Sequence, residues 1–475
     1  MIAAPKASTL EYVRTTLTRF EPASMTDLPP ASTAVERLVR AALPWRAQAD
    51  WHERAAWHVL DWLGCAAYGA GTAQGLAMQR WLGLQALGDK PTLAGRAADA
   101  GAAAAYHGAL GGALEMDDVH RSSVLHAGPV VIPAALAAAD RERSGAELLS
   151  ALVVGYEVMI RVGRALGPSH YRYWHTTATA GSFGAAAAAG AVMQLGAARL
   201  AQALALAGTR SGGLWQVRHE SQLGKAWHMA GAAREGVAAA QLASIGLTGP
   251  LAVLDGPSGW FAATAPEADV RCIDEARATP WLDDVSFKPW PACRHAHPAM
   301  DALLEATRGA AVTATQVQRI DVYSYPDALR FCERVHPQDE AQARFSIPHA
   351  LAALLCWGEP QLAHYAGAAL ADAQVVALRE RVHLHADADI AARYPAHYGA
   401  RVVVQLSDGR RPDAELQDTY GDPARPMGAA AREGKARALM LAAGWSPARC
   451  DDAVAVCHDL PHAPSLHALF KVISP

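Results

Sequence analysis

Lysine is the scarcest charged residue here: the 475 residues hold only 6 lysines against 36 arginines. No basic block or stripe forms, the net charge is −4 and the pI lies near 6.6, so nucleic acid is not an expected partner. The 7 cysteines are scattered, odd in number and never spaced C-x-x-C. That argues for a reducing cytoplasm and against a disulfide framework, a zinc ribbon or an iron–sulfur cluster. There is no G-x-S-x-G, no H-E-x-x-H, no Walker loop and no Rossmann fingerprint. No secretory signal is read at the N-terminus. The most apolar run, 184–208, is mainly alanine and is interrupted by Gln194, Arg199 and Gln202, which suits a buried helix better than a membrane span.

What is present is concentrated. Residues 114–133, LEMDDVHRSSVLHAGPVVIP, put Glu115, Asp117, Asp118, His120, Arg121 and His126 between stretches of Ala, Gly, Leu and Val. Polar groups this dense in an apolar surround are costly unless they pair with each other or with a ligand. The segment reads as a loop, with the next helix expected near Pro133. A capping and salt-bridge loop is the plainer reading and a site loop the sharper one. With lysine so rare, Lys225 and Lys288 stand out in apolar, aromatic contexts.

Along the chain, residues 1–30 read as a loose leader and 33–65 as a helix burying Trp45, Trp51, Trp57 and Trp62. The glycine turn YGAGTAQG at 68–75 lacks phosphate-loop spacing and reads as a loop. Ser144 and Glu147 spell a capping box ahead of a helix that Gly167 and Pro168 end. His170 and His175 precede a helix of very small residues, whose free N–H groups make a ready anion site. Lys225 and His228 share a face at the start of another helix. A lysine there opposes the helix dipole, a conflict that an outside anion would relieve. Near 270 the texture changes. Lys288, Arg294, His295 and His297 sit among prolines, and 319–325, 381–387 and 401–411 alternate as strands, the last with an Asp408–Gly409 turn. Residues 341–357 and 361–380 read as helices. The expected fold is mainly α: residues 1–270 with 425–475 as a large all-helical domain, and 271–424 as a smaller α+β lid domain.

The pooled candidates are carboxylates, imidazoles and cations without a nucleophile motif, an inventory suited to proton transfer on a polyanionic small molecule. A histidine, with a pKa of about 6.5, is poised to take or give the proton. A lysine beside the developing charge supplies on the order of 3–4 kcal/mol. Two other readings use the same residues: a metal enzyme built on His295/His297, Asp117/His120 or His120/His126, and a non-catalytic carboxylate-binding protein.

Five segments together resemble the MmgE/PrpD family of 2-methylcitrate dehydratases, cis-aconitate decarboxylases and iminodisuccinate epimerases. They are LEMDDVHRSSVLHAGPVVIPAALA, WHTTATAGSFGAAAAAG, LGKAWHMAGAAREGVAAAQLA, FKPWPACRHAHPAMDALLEA and RFSIPHALAALLCWG. The resemblance runs from about residue 33 to the end. It implies a site in the cleft between the helical domain and the lid, a homodimer, and chemistry without metal or organic cofactor. His126 matches the family's active-site histidine, His175 the histidine ahead of the small-residue helix, Lys225 the lysine of the K-x-x-H segment, and Lys288 the lysine before the small histidine-containing loop. There are departures. Ala127 replaces the proline after the first of these histidines, and the loop before His126 is longer by about one residue. Glu115 and Val119 replace the aspartate and threonine of decarboxylases. Phe331 falls where those members use a tyrosine, with Tyr323 and Tyr325 nearby.

The expected function is therefore a cofactor-independent, cytoplasmic acid–base enzyme acting on a small di- or tricarboxylate. A lyase ranks ahead of an epimerase. His126, His175, Lys225 and Asp117 are the expected catalytic group. Glu115, Asp118, His120, Arg121, His228, Lys288, Arg294 and His297 are expected to bind or orient the substrate.

Overall fold

The computed structural model describes residues 33–220 and 224–474. The leader read at 1–30 lies outside them. The first half is α1 (Ala34–Ala42), α2 (His52–Gly69), α3 (Ala73–Gly83), α4 (Ala100–Gly111), β1 (Val119–His120), α5 (Gly128–Ala138), α6 (Gly145–Tyr171), α7 (Thr176–Val192), α8 (Ala197–Gly208), α9 (Val217–Glu220) and α10 (Gly224–Ser244). There follow α11 (Trp260–Thr264), β2 (Val285–Ser286), α12 (His297–Thr307), β3 (Val317–Ser324), α13 (Pro326–Cys332), α14 (Glu340–Arg344) and α15 (Ile347–Trp357). The last elements are α16 (Ala373–Arg379), β4 (Val382–Ala386), α17 (Ala388–Arg393), β5 (Ala400–Leu406), β6 (Asp413–Leu416), α18 (Ala429–Ala442), α19 (Pro447–Asp459) and α20 (His467–Ile473).

Helix α7 is the axis of the larger lobe, with every residue buried and α5, α6, α8 and α10 packed around it. Its Ala/Gly composition is what lets those helices approach. A Cβ on Gly184 would lie 2.5 Å from the Met159 Cβ, and one on Gly155 2.7 Å from the Ala188 Cβ. The capping box holds: the Glu147 N–H donates to Ser144 Oγ at 3.2 Å, and the Ser144 N–H to Glu147 Oε2 at 2.8 Å. Gly167, at φ 68°, kinks α6 at the expected place, and the helix resumes to Tyr171.

Four local expectations change. The helix read over 33–65 is broken, because Pro44 turns the chain into short 3₁₀ segments before α2. The helix expected near Pro133 begins at Gly128: Pro129 takes the first-turn position and Pro133 lies inside. Residues 341–357 split into α14 and α15, where Ser346 caps the second helix by accepting the His349 N–H at 3.0 Å. Within 361–380 only α16 is α-helical, preceded by 3₁₀ turns.

The smaller lobe is a four-stranded sheet in the order β4-β3-β5-β6, parallel between β3 and β4 and antiparallel elsewhere, with α12 packed on β5 and β6. Gly409, at φ 87°, makes the turn of the expected hairpin. One hydrophobic cluster runs from Ala34 to Phe287 and resumes at Met427. A second runs from Trp290 to Leu406. The molecule is thus a large helical domain joined to a smaller α+β domain. Among the described residues no helix is long and apolar enough to cross a membrane.

The smallest ladder matters most. β1 pairs antiparallel with β2, Val119 opposite Ser286 and His120 opposite Val285. Continued two residues, that register sets Asp117 opposite Lys288. The acidic loop of the large lobe is thereby stitched to the strand that leads into the small one.

Candidate active site

Glu115 begins the site. Its backbone sits at φ 55°, unusual for a side chain of its size. Its carboxylate pairs with Lys225 Nζ, and its second oxygen lies 3.5 Å from Lys288 Nζ. Lys288 is fully buried, and its ammonium also stands 3.6 Å from Asp117 Oδ1, as the ladder register requires. The other oxygen of Asp117 lies 2.7 Å from His126 Nδ1. This carboxylate–imidazole contact orients the ring and leaves Nε2 turned away from Asp117.

Burial alone would raise both carboxylate pKa values. For Glu115 the charges of Lys225 and Lys288 outweigh burial and hold it down at about 2. For Asp117, His126 and Lys288 likewise hold it well below the usual range. Burial works against the Lys225 ammonium too, but Glu115 and Asp117 raise its pKa above the ordinary value. The centre therefore holds two fixed anions and a fixed cation at neutral pH. The conflict between Lys225 and the dipole of α10 is relieved by an anion from outside that helix, Glu115.

His175 precedes α7 and His228 follows Lys225 on α10. Their Nδ1 atoms lie 3.2 Å apart, so one donates and the other accepts. Burial, with Lys225 adding to it, pushes the pKa of His175 well below 6.5, and the ring is neutral. Its Nε2 is buried without a hydrogen-bond partner. Thr177, on the first turn of α7, accepts the His126 N–H at 3.1 Å and so couples the helix start to the acidic loop.

Glu115, Asp117, His126, His175, Lys225, His228 and Lys288 are thus brought together. The other expected binding residues are held by the protein itself. Asp118 accepts from Tyr156 Oη at 2.6 Å and from the Gly128 N–H at 2.8 Å, and pairs with His58 Nδ1 at 2.7 Å. It caps α5 and anchors the loop instead of facing the centre, and a Cβ at Gly128 would come 2.9 Å from its oxygen. His120 bonds Ser123 Oγ at 2.7 Å and lies 3.3 Å from Asp284. Arg121 spans Asp284 at 3.2 Å, Asp418 at 3.1 Å and Asp422 at 3.7 Å. Arg294 borders the inner cavity, but its terminal nitrogens are taken by Asp422, the Tyr420 carbonyl and His297. The second ring nitrogen of His297 is 3.1 Å from the Ala292 carbonyl. His295 and His297 therefore serve separate partners, and among the described residues no three of His, Cys, Asp and Glu converge as a metal set.

Of the residues on the wall, Trp215 and Tyr398 carry no readable sequence signal, whereas His295 and Phe331 do. His295 is stacked between Phe331, at 5.1 Å, and Tyr398, at 5.4 Å. Tyr325 sits behind it, 2.9 Å from its Nδ1, and Tyr323 stacks on His385 at 4.9 Å. The hydroxyl-bearing residues that do line the inner cavity are Tyr171 and Tyr398, beside Phe331 itself. Trp215 packs 4.4 Å from His175. Lys435 was within reach of the sequence, as one of only 6 lysines. From α18 it donates to Asp61 at 2.6 Å and to the Met116 carbonyl at 2.5 Å, beneath the loop between Glu115 and Asp117.

This architecture has relatives. The MmgE/PrpD N-terminal domain profile matches residues 41–273 and the C-terminal domain profile residues 290–460. The human protein "Cis-aconitate decarboxylase" is 27% identical over 341 residues, which is 68% of this chain and 69% of that one. "Cis-aconitate decarboxylase-like protein oryM" of Aspergillus oryzae is 36% identical over 170 residues, 34% of this chain and 35% of its own length. "Cis-aconitate decarboxylase" of Aspergillus terreus is 31% identical over 168 residues, 34% of each chain. The fungal matches span about a third of those proteins, whereas the two profiles take in both lobes and six of the seven residues that converge here, Lys288 falling in the short gap between them, and on that ground the chain belongs to the MmgE/PrpD family.

Proposed function

We propose that this chain is a cofactor-independent lyase acting on a small polycarboxylate of the cis-aconitate type. The observation that carries the reading is the pair of buried ammonium groups, Lys225 and Lys288, joined through Glu115 and Asp117 to His126, with Lys225 and His126 on the wall of one small cavity. Ammonium groups so placed hold carboxylates. An imidazole held by a carboxylate moves a proton at carbon. The choice of substrate class draws support from relatives named cis-aconitate decarboxylase.

In the decarboxylation, the bond from the methylene carbon to its carboxylate breaks and CO₂ leaves. The freed electron pair becomes a new C=C. The electrons of the old double bond take a proton at the far carbon from His126, which solvent reprotonates. Neutral His175 offers a hydrogen bond to the carboxylate on which charge develops, and Lys225 neutralises it.

A second reading, epimerisation by proton removal and return at one carbon, is favoured by Phe331, which brings no hydroxyl to the cavity wall. NMR of metal-stripped protein in D₂O with cis-aconitate, 2-methylcitrate, citrate and iminodisuccinate separates the two. A deuterated alkene with CO₂ release supports the decarboxylase. Inversion with deuterium at one carbon and no CO₂ supports the epimerase. No exchange with any of the four, with or without added divalent metal, overturns both.

A further inference from the structure

Two cavities meet at Glu115. The outer one, of about 420 Å³, opens among Gln74, Arg334 and Arg344. The inner one, walled by His126, His175 and Trp215, holds about 30 Å³. At about 10–15 Å³ for each water, that is space for two waters and not for a polycarboxylate. Glu115, Lys225 and Phe345 line both cavities and form the partition between them. Lys225 Nζ stands 5.6 Å from the centre of the Phe345 ring.

We propose that Glu115 is a place-holder: its carboxylate occupies, between Lys225 and Lys288, the seat that one carboxylate of the substrate takes, and substrate passes from the outer to the inner cavity by displacing it. The inference rests on the polycarboxylate reading above and adds to it an internal competitor for the same cations. Three observations support it. A carboxylate bridging two buried ammonium groups is what a bound substrate carboxylate would look like. The inner cavity gains the room it lacks only when a wall side chain leaves, and Glu115 is the wall residue already paired to the cations. A landing place exists on the outer side: Arg344 lines the outer cavity, and its Nε is buried without a hydrogen-bond partner. Its terminal nitrogens hold the Ala113 carbonyl at 2.9 Å and Glu340 at 2.6 Å, so it already grips the backbone two residues before Glu115.

A competitor of this kind reduces affinity, because the free protein must first vacate the seat. Titration calorimetry of the full chain with propane-1,2,3-tricarboxylate, which is saturated and cannot react by alkene shift, reads that cost directly. Replacing Glu115 by its neutral isostere, Glu115→Gln, tightens binding by about tenfold or more if the competent state is the minor one. Lys225→Met weakens it in the same assay. Glu115→Asp, one methylene short of Lys225, carries the expectation in the same direction should the glutamine variant not fold. Binding by the unaltered protein that is equal or weaker in the folded Glu115 variants overturns the place-holder and leaves the polycarboxylate reading standing. No binding of the tricarboxylate by any of these proteins overturns that reading, and the place-holder with it.

Discussion

Lys288 and Asp117 show how little slack the site has. Lys288 is fully buried, and its compensating charges are two carboxylates at 3.5 and 3.6 Å. Lys288→Met leaves Glu115 and Asp117 buried against each other with one cation fewer. The expected cost is about 3–5 kcal/mol of stability, as for other broken buried ion pairs, read by urea unfolding. His126→Ala removes the proposed proton carrier and leaves the buried Asp117 with Lys288 as its nearby cation. Deuterium incorporation should fall by about 10²–10⁴ in the folded variant, and an unchanged exchange rate would take His126 out of the mechanism. At this scale much was legible before the fold was known. Lysine scarcity singled out Lys225 and Lys288, and the density of charge singled out the loop. Composition could not say that Asp118, His120 and Arg121 face away from the centre, because neighbours in a loop point in different directions and their partners, His58, Asp284 and Asp418, are distant in sequence.

At the level of elements, two features place the chemistry. The β1–β2 ladder has two residues on each side, too short to carry a period, and nothing in the pattern foretold it. The long helices were readable because α6 has a capping box and α7 is made of small residues apart from Phe183 and Val192. Their breaks were less so, since proline placement at 44, 129 and 133 admits several boundaries. The second feature is α18, whose Lys435 props up Met116 from below. Burial raises the pKa of Asp61 to about 6 even with Lys435 beside it, so this pair is costly to split. Lys435→Met strands Asp61 and frees the loop. We expect loss of stability of about 3–5 kcal/mol together with a fall in kcat, although Lys435 does not line the inner cavity. Adding Asp61→Asn, which removes the stranded charge, should restore stability and leave kcat low, since the Met116 carbonyl remains unheld.

Taken whole, the described residues bury a set of histidines whose rings burial keeps neutral. Burial lowers His58, His170, His295 and His349 to about 4, and His107 to about 3. Folded pKa values below the unfolded value mean that the contribution of these groups is present above about pH 6.5 and is lost as pH falls through the folded values. His107 is the clearest case, because its Nε2 accepts the Leu93 N–H at 3.2 Å and must be unprotonated to do so. It should cost about 2 kcal/mol of stability between pH 7 and pH 5. His107→Gln keeps an acceptor and does not titrate, so chemical denaturation at the two pH values should show a smaller difference by that amount. An unchanged difference would assign the acid sensitivity to the other four.

Lys435 has a further consequence, in time. It is separated from the carbonyl it supports by 319 residues. A ribosome adding about 5–20 residues per second needs about 15–60 s to cover that distance. Throughout that interval the acidic loop exists without its prop, and Lys288, which arrives partway, cannot set it alone. On the proposed function, a nascent chain turns over no substrate until α18 has docked on α2, and activity becomes a report that synthesis has passed that point.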